Sequence, residues 1–222
     1  IGLSRRLTFP KEIYHEIDIF SIEETKAILE ATKMEPIHIR VLIELALFTA
    51  LRRGELVGLK WSDIDFEKQQ LTVKRSIYKP KGENAIEKEP KTLSSIRTIS
   101  IPNCLCETLQ YYKKKQAENS LSLGERWKNL DYLFTDEFGN VMNPQTPTKQ
   151  FSKFLERHNI RHLKFHCLRH TSATLLLSGG CDIKTVSARL GHSSIETTNI
   201  YVHAIESIDR KAAIMFDFFV KE

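Results

Sequence analysis

The sequence predicts a mixed α+β protein, mainly helical, with helices packed around a small three-stranded antiparallel sheet. Three observations lead there. Apolar residues recur at three-to-four spacing over the early part of the chain, residues Leu71 to Pro102 switch to alternation and β-branched residues, and most of the chain beyond Pro102 returns to short helical patterns. The chain has 222 residues, 41% hydrophobic and 27% charged, so it can build a sizeable core as one large domain or two small ones, and disorder is not the default.

Taken in order, residues 1–20 read as a linker ahead of a domain over 21–222. Ser21-Ile-Glu-Glu24 fits a capping box, each side chain satisfying the other residue's backbone donor, and opens a helix to about Lys33. Pro36 follows as a stop. From Ile37 to Leu51 the residues Ile37, Val41, Leu42, Leu45, Ala46 and Leu47 give a second helix one apolar side, and Arg52 lies at its end. Leu71–Tyr78, Ala85–Lys91 and Ile96–Ile101 are expected to pair as the three strands, with turns at Pro80–Asn84 and near Leu93–Ser95. Pro102 opens a helix to about Glu118. A polar connector then reaches Tyr132-Leu-Phe134, a buried strand candidate, and a turn at Asp136–Asn140. Helices are expected over residues 147–158, 166–177, 183–190, 195–202 and 207–219.

Composition excludes some classes. The longest apolar runs, Ala173–Leu177 and Ile214–Val220 with Asp217 inside it, fall far short of the ~20 residues of a membrane span. Thirty-three Lys and Arg against 28 Asp and Glu leave a net charge of +5, which suits a polyanion such as nucleic acid without requiring one. Cys104, Cys106, Cys167 and Cys181 form no CxxC pair and read as reduced thiols of a cytoplasmic protein. The first residues, Ile-Gly-Leu-Ser-Arg-Arg, hold neither a signal peptide nor an initiator Met, so the chain reads as part of a longer protein.

Five places carry candidate chemistry, and each has a plainer reading. Arg52 with Glu55 three residues on makes an ordinary local ion pair. Lys91 sits in a hairpin, where lysines are usually solvated. His166-Cys-Leu-Arg169 puts a His and an Arg on one helical face. Leu190-Gly-His192 reads as a helix C-cap with a left-handed Gly191, and Tyr201 reads as core.

Together, however, two arginines, a lysine, two histidines and a tyrosine form one toolkit for phosphodiester transfer. Arginine forks bind phosphate oxygens bidentately and keep their charge. Preorganised guanidinium and imidazole donors stabilise the negative charge that an in-line attack builds up. A tyrosine needs positive surroundings or a base to act as nucleophile, and a lysine beside arginines gives up its proton more readily. Nothing in the set calls for a metal or a cofactor.

The same residues resemble the catalytic domain of the tyrosine recombinases, the phage and transposon integrase type. Ala50-Leu-Arg-Arg-Gly-Glu55, Pro90-Lys-Thr-Leu-Ser-Ser-Ile-Arg-Thr-Ile-Ser-Ile101, His166-Cys-Leu-Arg-His-Thr171, Leu190-Gly-His192 and Thr198-Asn-Ile-Tyr-Val-His203 come in the family's order and spacing. The resemblance implies the tyrosine-recombinase catalytic-domain fold. It also implies that Arg52 and Arg169 clamp the scissile phosphate. Lys91 would protonate the leaving 5′ oxygen, His166 would contact the phosphate or take the nucleophile's proton, and His192 would contact a phosphate oxygen. Tyr201 would form the 3′-phosphotyrosyl bond, and Glu55 would support the site by holding an Arg or the adjacent His. Two departures, Ala50 where Gly is usual and Cys167 where Asp is common, remove no reacting group. Arg53, His170 and His203 read as surface or packing residues. Lys88 is the rival for the hairpin lysine, Lys91 being preferred because Thr92, Ser95 and Arg97 come after it at the family's spacing.

For the whole protein, the resemblance implies site-specific exchange of double-stranded DNA by a homotetramer, integrating or excising a mobile element. N-terminal core-binding and arm-binding domains are expected outside these residues. The apolar tail Ile214-Met-Phe-Asp-Phe-Phe219 would dock on a neighbouring protomer or on its own domain. The alternatives are relaxation of supercoils by type IB topoisomerase chemistry, or a helix-turn-helix binding module over Ser178–His192. The second leaves Arg52, Lys91, His166, Arg169 and Tyr201 without a task.

Overall fold

The computed structural model describes residues 17–80, 82–83, 85–88, 96–192 and 194–202. Its elements in order are α1 (Ile22–Thr32), α2 (Ile37–Thr49), α3 (Arg53–Val57), β1 (Ile64–Asp65), β2 (Gln70–Val73), β3 (Ser76–Tyr78), β4 (Ile86–Lys88), β5 (Arg97–Ser100), α4 (Asn103–Leu123), α5 (Thr146–Arg157), α6 (Cys167–Ser178) and α7 (Ile183–Leu190), with a helical segment over 196–202 after them. The mixed, mainly helical class holds. The expected helix over 207–219 and the apolar tail lie outside the described residues.

The capping box forms, with Glu24 accepting from the Ser21 backbone N–H at 2.7 Å and Ser21 Oγ accepting from the Glu24 N–H at 3.1 Å. Phe20, which the sequence pattern assigns to the linker, is instead core. It is buried edge-on against Phe151, and its N–H donates to Thr171 Oγ1 at 3.0 Å. The packed unit therefore begins ahead of Ser21.

Helix α2 departs from expectation in burial. Nearly every residue from Val41 to Thr49 is buried, Glu44 included, because α1, α4, α5 and α6 all pack around it. A helix enclosed on all sides needs no polar face. It forms the axis of the main core, which also takes in Leu56, Leu71, Leu105, Leu109, Phe134, Phe151 and Phe154.

The sheet also needs correction. Leu71–Tyr78 is not one strand: the chain breaks at Lys74-Arg75, and β2 and β3 go to different partners. β2 lies between β1 and β5 in a three-stranded antiparallel sheet, Leu71 facing Ile64 on one side and Ile99 on the other, while β3 pairs with β4 as a separate hairpin. Arg75, at the break, turns inward to pair with Asp63 and Glu87, and Glu87 also accepts from the Tyr132 hydroxyl. Ion pairing at Arg75 outweighs an alternation that continues through it. Tyr132–Phe134 is buried but bends after Tyr132, whose isolated bridge to Lys60 takes the place of a strand. The 136–140 turn forms, the Asn140 N–H donating to Asp136 Oδ1 at 2.9 Å.

A second, smaller cluster gathers Ala50, Ala173, Val186, Leu190 and Tyr201. It joins the ends of α2, α6 and α7 to the 196–202 segment. Along its edge lie the candidate residues.

Candidate active site

Helix α2 ends on Ala50, whose φ of 55° is left-handed. That bend turns the Ala50 carbonyl toward α6 and delivers Arg52 to the start of α3. Gly54 in α3 has a reason to lack a side chain: a Cβ there would come within 2.5 Å of Ser76 Oγ and 2.7 Å of the Ile77 carbonyl oxygen, so α3 packs directly on β3. Glu55, in the first turn of α3, accepts from the Arg52 N–H at 2.9 Å and pairs with Arg52 Nη1 at 3.0 Å.

The same carboxylate takes a two-pronged contact from Arg97 on β5, Nη2 to Oε2 at 2.7 Å and Nη1 to Oε1 at 3.2 Å. Glu55 stays ionised. Burial pushes its pKa upward, but the bonds and charges of Arg97 and Arg52 prevail and hold it below the ordinary value.

Three arginines converge on the end of α7. Arg97 Nε donates to the Arg189 carbonyl at 2.9 Å, Arg169 Nη2 to the Leu190 carbonyl at 2.8 Å and Arg52 Nη2 to the Gly191 carbonyl at 3.2 Å. These are the carbonyls a helix C-terminus leaves unpaired, at the negative end of its dipole. Gly191 closes the helix with φ 67°, as the C-cap reading anticipates, and the His192 N–H returns to the Ser187 carbonyl at 3.1 Å.

Arg169 is almost fully buried, and its Nη1 also holds the Ala50 carbonyl. Burial and then the nearby Arg52 charge lower its pKa to about 10, so it remains cationic at neutral pH. Arg52, by contrast, is half-exposed. The pair thus offers one fixed and one reachable positive charge, an arrangement suited to gripping an anion.

The histidines are held neutral. His192 packs parallel to Tyr201 with centroids 6.4 Å apart, and its Nδ1 meets Thr198 Oγ1 at 2.9 Å. Burial, then Arg169, Arg52 and Arg97, lower its pKa to about 4. His166 stands at the N-cap position of α6 with its side chain exposed. Partial desolvation and then the charges of Arg169, Arg52 and Arg53 keep its pKa below the usual value.

Tyr201 fits the core reading and also presents a polar contact. Its ring belongs to the small cluster and is 1% exposed, yet its hydroxyl has a polar partner, His170 Nδ1, at 3.0 Å. Burial raises its pKa, against the opposing pull of Arg169 and Arg52.

The structure therefore brings together Arg52, Glu55, His166, Arg169, His192 and Tyr201. Lys91 lies outside the described residues, between β4 and β5. Its rival Lys88 sits over the Tyr78 ring at 4.4 Å, within the hairpin. Arg53 binds away from the site, to Gln145 and Thr148 of the α5 region. His203 is outside the described residues.

Two residues beyond the motif readings also join the site: Arg97, valued in the sequence only for its spacing after Lys91, and His170, read as surface or packing. A signal for His170 was present. It lies four residues after His166, so a helix places both on one face.

An α+β domain here gathers arginines, histidines and a buried tyrosine at the ends of its helices, the side chains that phosphate chemistry uses. The model of the phage integrase family matches residues 19–207, and the chain belongs to that family. It is 44% identical over 207 residues to a XerC-like tyrosine recombinase of Caldanaerobacter subterraneus subsp. tengcongensis, covering 88% of this chain and 52% of the relative. It is 29% identical over 202 residues to the ICEBs1 integrase of Bacillus subtilis, covering 88% of this chain and 53% of that protein.

Among solved structures, the XerA recombinase superposes with a TM-score of 0.68 at 25% identity, over 89% of this chain and 66% of that one. The Tn1549 transposon integrase bound to circular intermediate DNA shares the fold, with a TM-score of 0.73 at 21% identity, over 90% and 67%. The chain spans about half the length of the curated relatives it matches. No helix among the described residues is long and apolar enough to cross a membrane.

Proposed function

We propose that these residues are the catalytic part of a site-specific DNA recombinase of the integrase type, acting in the cytoplasm. The observation that carries this reading is the meeting of Arg52, Arg169, His166, His192 and Tyr201, drawn from separate stretches of chain, at the C-terminal end of α7.

Arg52 and Arg169 would bind the scissile phosphate and offset the charge that grows on its oxygens during attack. His192, fixed by Thr198, and His166 would contact the same oxygens. Tyr201 would displace the 5′ oxygen to form a 3′-phosphotyrosyl link, storing the bond energy so that rejoining needs no cofactor. Lys91 would protonate the leaving oxygen. Glu55 orients Arg52. Domains on the N-terminal side would complete the grip on duplex DNA, and four protomers would exchange two pairs of strands, with tail docking between neighbours. The +5 charge suits such a polyanionic partner.

The test is a nicked suicide duplex, which traps covalent intermediates. The full-length protein should form an adduct, and Tyr201→Phe should form none; an adduct retained by Tyr201→Phe overturns the nucleophile assignment. Lys91→Ala should cleave slowly on an ordinary duplex but recover on one whose leaving atom is sulfur, which needs no proton. Equal loss on both substrates rules out the lysine as acid. Exchange between two defined sites, rather than supercoil relaxation alone, separates this reading from topoisomerase activity.

A further inference from the structure

His170 contacts the hydroxyl that would react. It stands on α6 directly after Arg169, and its Nδ1 is 3.0 Å from the Tyr201 oxygen, with ring centroids 5.6 Å apart. Its other side meets the His166 ring edge-on, centroids 4.6 Å apart. His166 has no hydrogen bond to Tyr201 among the described residues, so His170 intervenes between the motif histidine and the nucleophile.

Resting on the recombinase reading, we propose that His170 accepts the proton of the Tyr201 hydroxyl during strand cleavage, while His166 acts on the phosphate.

The step balances. The Tyr201 O–H bond breaks and its proton passes to the Nδ1 lone pair as the tyrosine oxygen bonds to phosphorus. The bond from phosphorus to the 5′ oxygen breaks, and that oxygen takes a proton from Lys91. On rejoining, an incoming 5′ hydroxyl returns its proton to Lys91, and His170 returns its own to the tyrosine oxygen. No proton is consumed over a cycle.

Charge explains why the acceptor works only when loaded. Burial, with His166, Arg169 and His192 around it, lowers the His170 pKa to about 4, so at neutral pH the ring is uncharged. The tautomer protonated at Nε2 leaves Nδ1 free to accept from the hydroxyl. A phosphodiester anion seated at Arg52 and Arg169 offsets the positive field that weakens the base, raising its proton affinity when it is needed. Without DNA the tyrosine stays protonated.

Single-turnover adduct formation on the suicide duplex tests this. A general base contributes about 10²–10⁴-fold, so His170→Ala in the full-length protein should form adduct at least about 100-fold more slowly at pH 7. Duplex affinity, which also reports folding, should be unchanged. The deficit should shrink as pH approaches the tyrosine's own pKa, where ionisation no longer needs an acceptor. It should persist on the sulfur-leaving substrate that rescues Lys91→Ala. His170→Asn, which offers an amide oxygen near the Nδ1 position but cannot hold the proton, should remain slow.

A wild-type rate in His170→Asn, or a His170→Ala loss that is the same at every pH, makes His170 a positioning residue and overturns the proposal. If the wild-type protein forms no adduct at all, the recombinase reading fails instead, a result distinct from either.

Discussion

Two left-handed residues flank the site, and they differ in their response to substitution. At Gly191, φ 67° already disfavours a side chain, and a Cβ would meet Arg97 Nη1 at 2.7 Å and Cζ at 2.9 Å. Gly191→Ala should therefore cost about 1–2 kcal/mol in urea unfolding, and it should shift Arg97. At Ala50 the strain is similar, but the methyl is fully buried beside Tyr201 and Leu190. Ala50→Gly relieves backbone strain and gives up roughly 0.8 kcal/mol of buried methyl. Its unfolding midpoint should scarcely move, which explains why this chain tolerates Ala at a place suited to Gly.

The motif residues stand out in the sequence as a set because the phosphodiester chemistry proposed for them would demand those side chains. His170 was harder to see, since its value comes from a contact with Tyr201, 31 residues away, that only packing of the 196–202 segment on α6 creates.

Elements were legible where periodicity decides them and obscure where ion pairs do. α1, α5, α6 and α7 begin and end within a residue or so of the pattern. The split of β2 from β3 was not readable, because Arg75 fits an alternating strand as well as it fits its pairs with Asp63 and Glu87. Two-residue β1 is too short to leave a pattern at all.

Three elements also share one charge at the site. Glu55 on α3 holds Arg97 on β5, which in turn holds the end of α7, and the Glu55 and Arg97 side chains are only about a tenth exposed. Removing one member of such a pair leaves the other buried without its counter-charge. Glu55→Gln should thus destabilise the protein by about 3 kcal/mol. A double-mutant cycle with Arg97→Met should recover much of that loss, and purely additive losses would mean that the pair carries no coupling.

For the molecule as a whole, histidines kept neutral by the fold set a pH signature. His170 and His192 have pKa values of about 4 in the folded state, below the ordinary histidine value of about 6.5 in the unfolded chain. Between those values the unfolded chain binds more protons, so stability rises with pH. It should be fully present above about pH 6.5 and fall as pH drops toward 4, with urea midpoints recording the decline. His170→Asn should flatten that slope, and an unchanged slope would mean the ring is not kept neutral.

The main core and the helical class came from composition and pattern. That α2 is enclosed on all sides did not, since enclosure depends on which four helices surround it.

The C-terminus of α7 lends its last carbonyls, in succession, to arginines from β5, α6 and the start of α3, and then leads through His192 to the segment carrying Tyr201. The guanidinium groups and the tyrosine are therefore geared to one turn of helix. Unwinding that turn would free three guanidinium groups and displace the tyrosine in the same motion, so the site is dismantled or rebuilt as a unit. Hydrogen exchange at the His192 amide, which reports whether the turn is closed, should then track the loss of every one of these groups together.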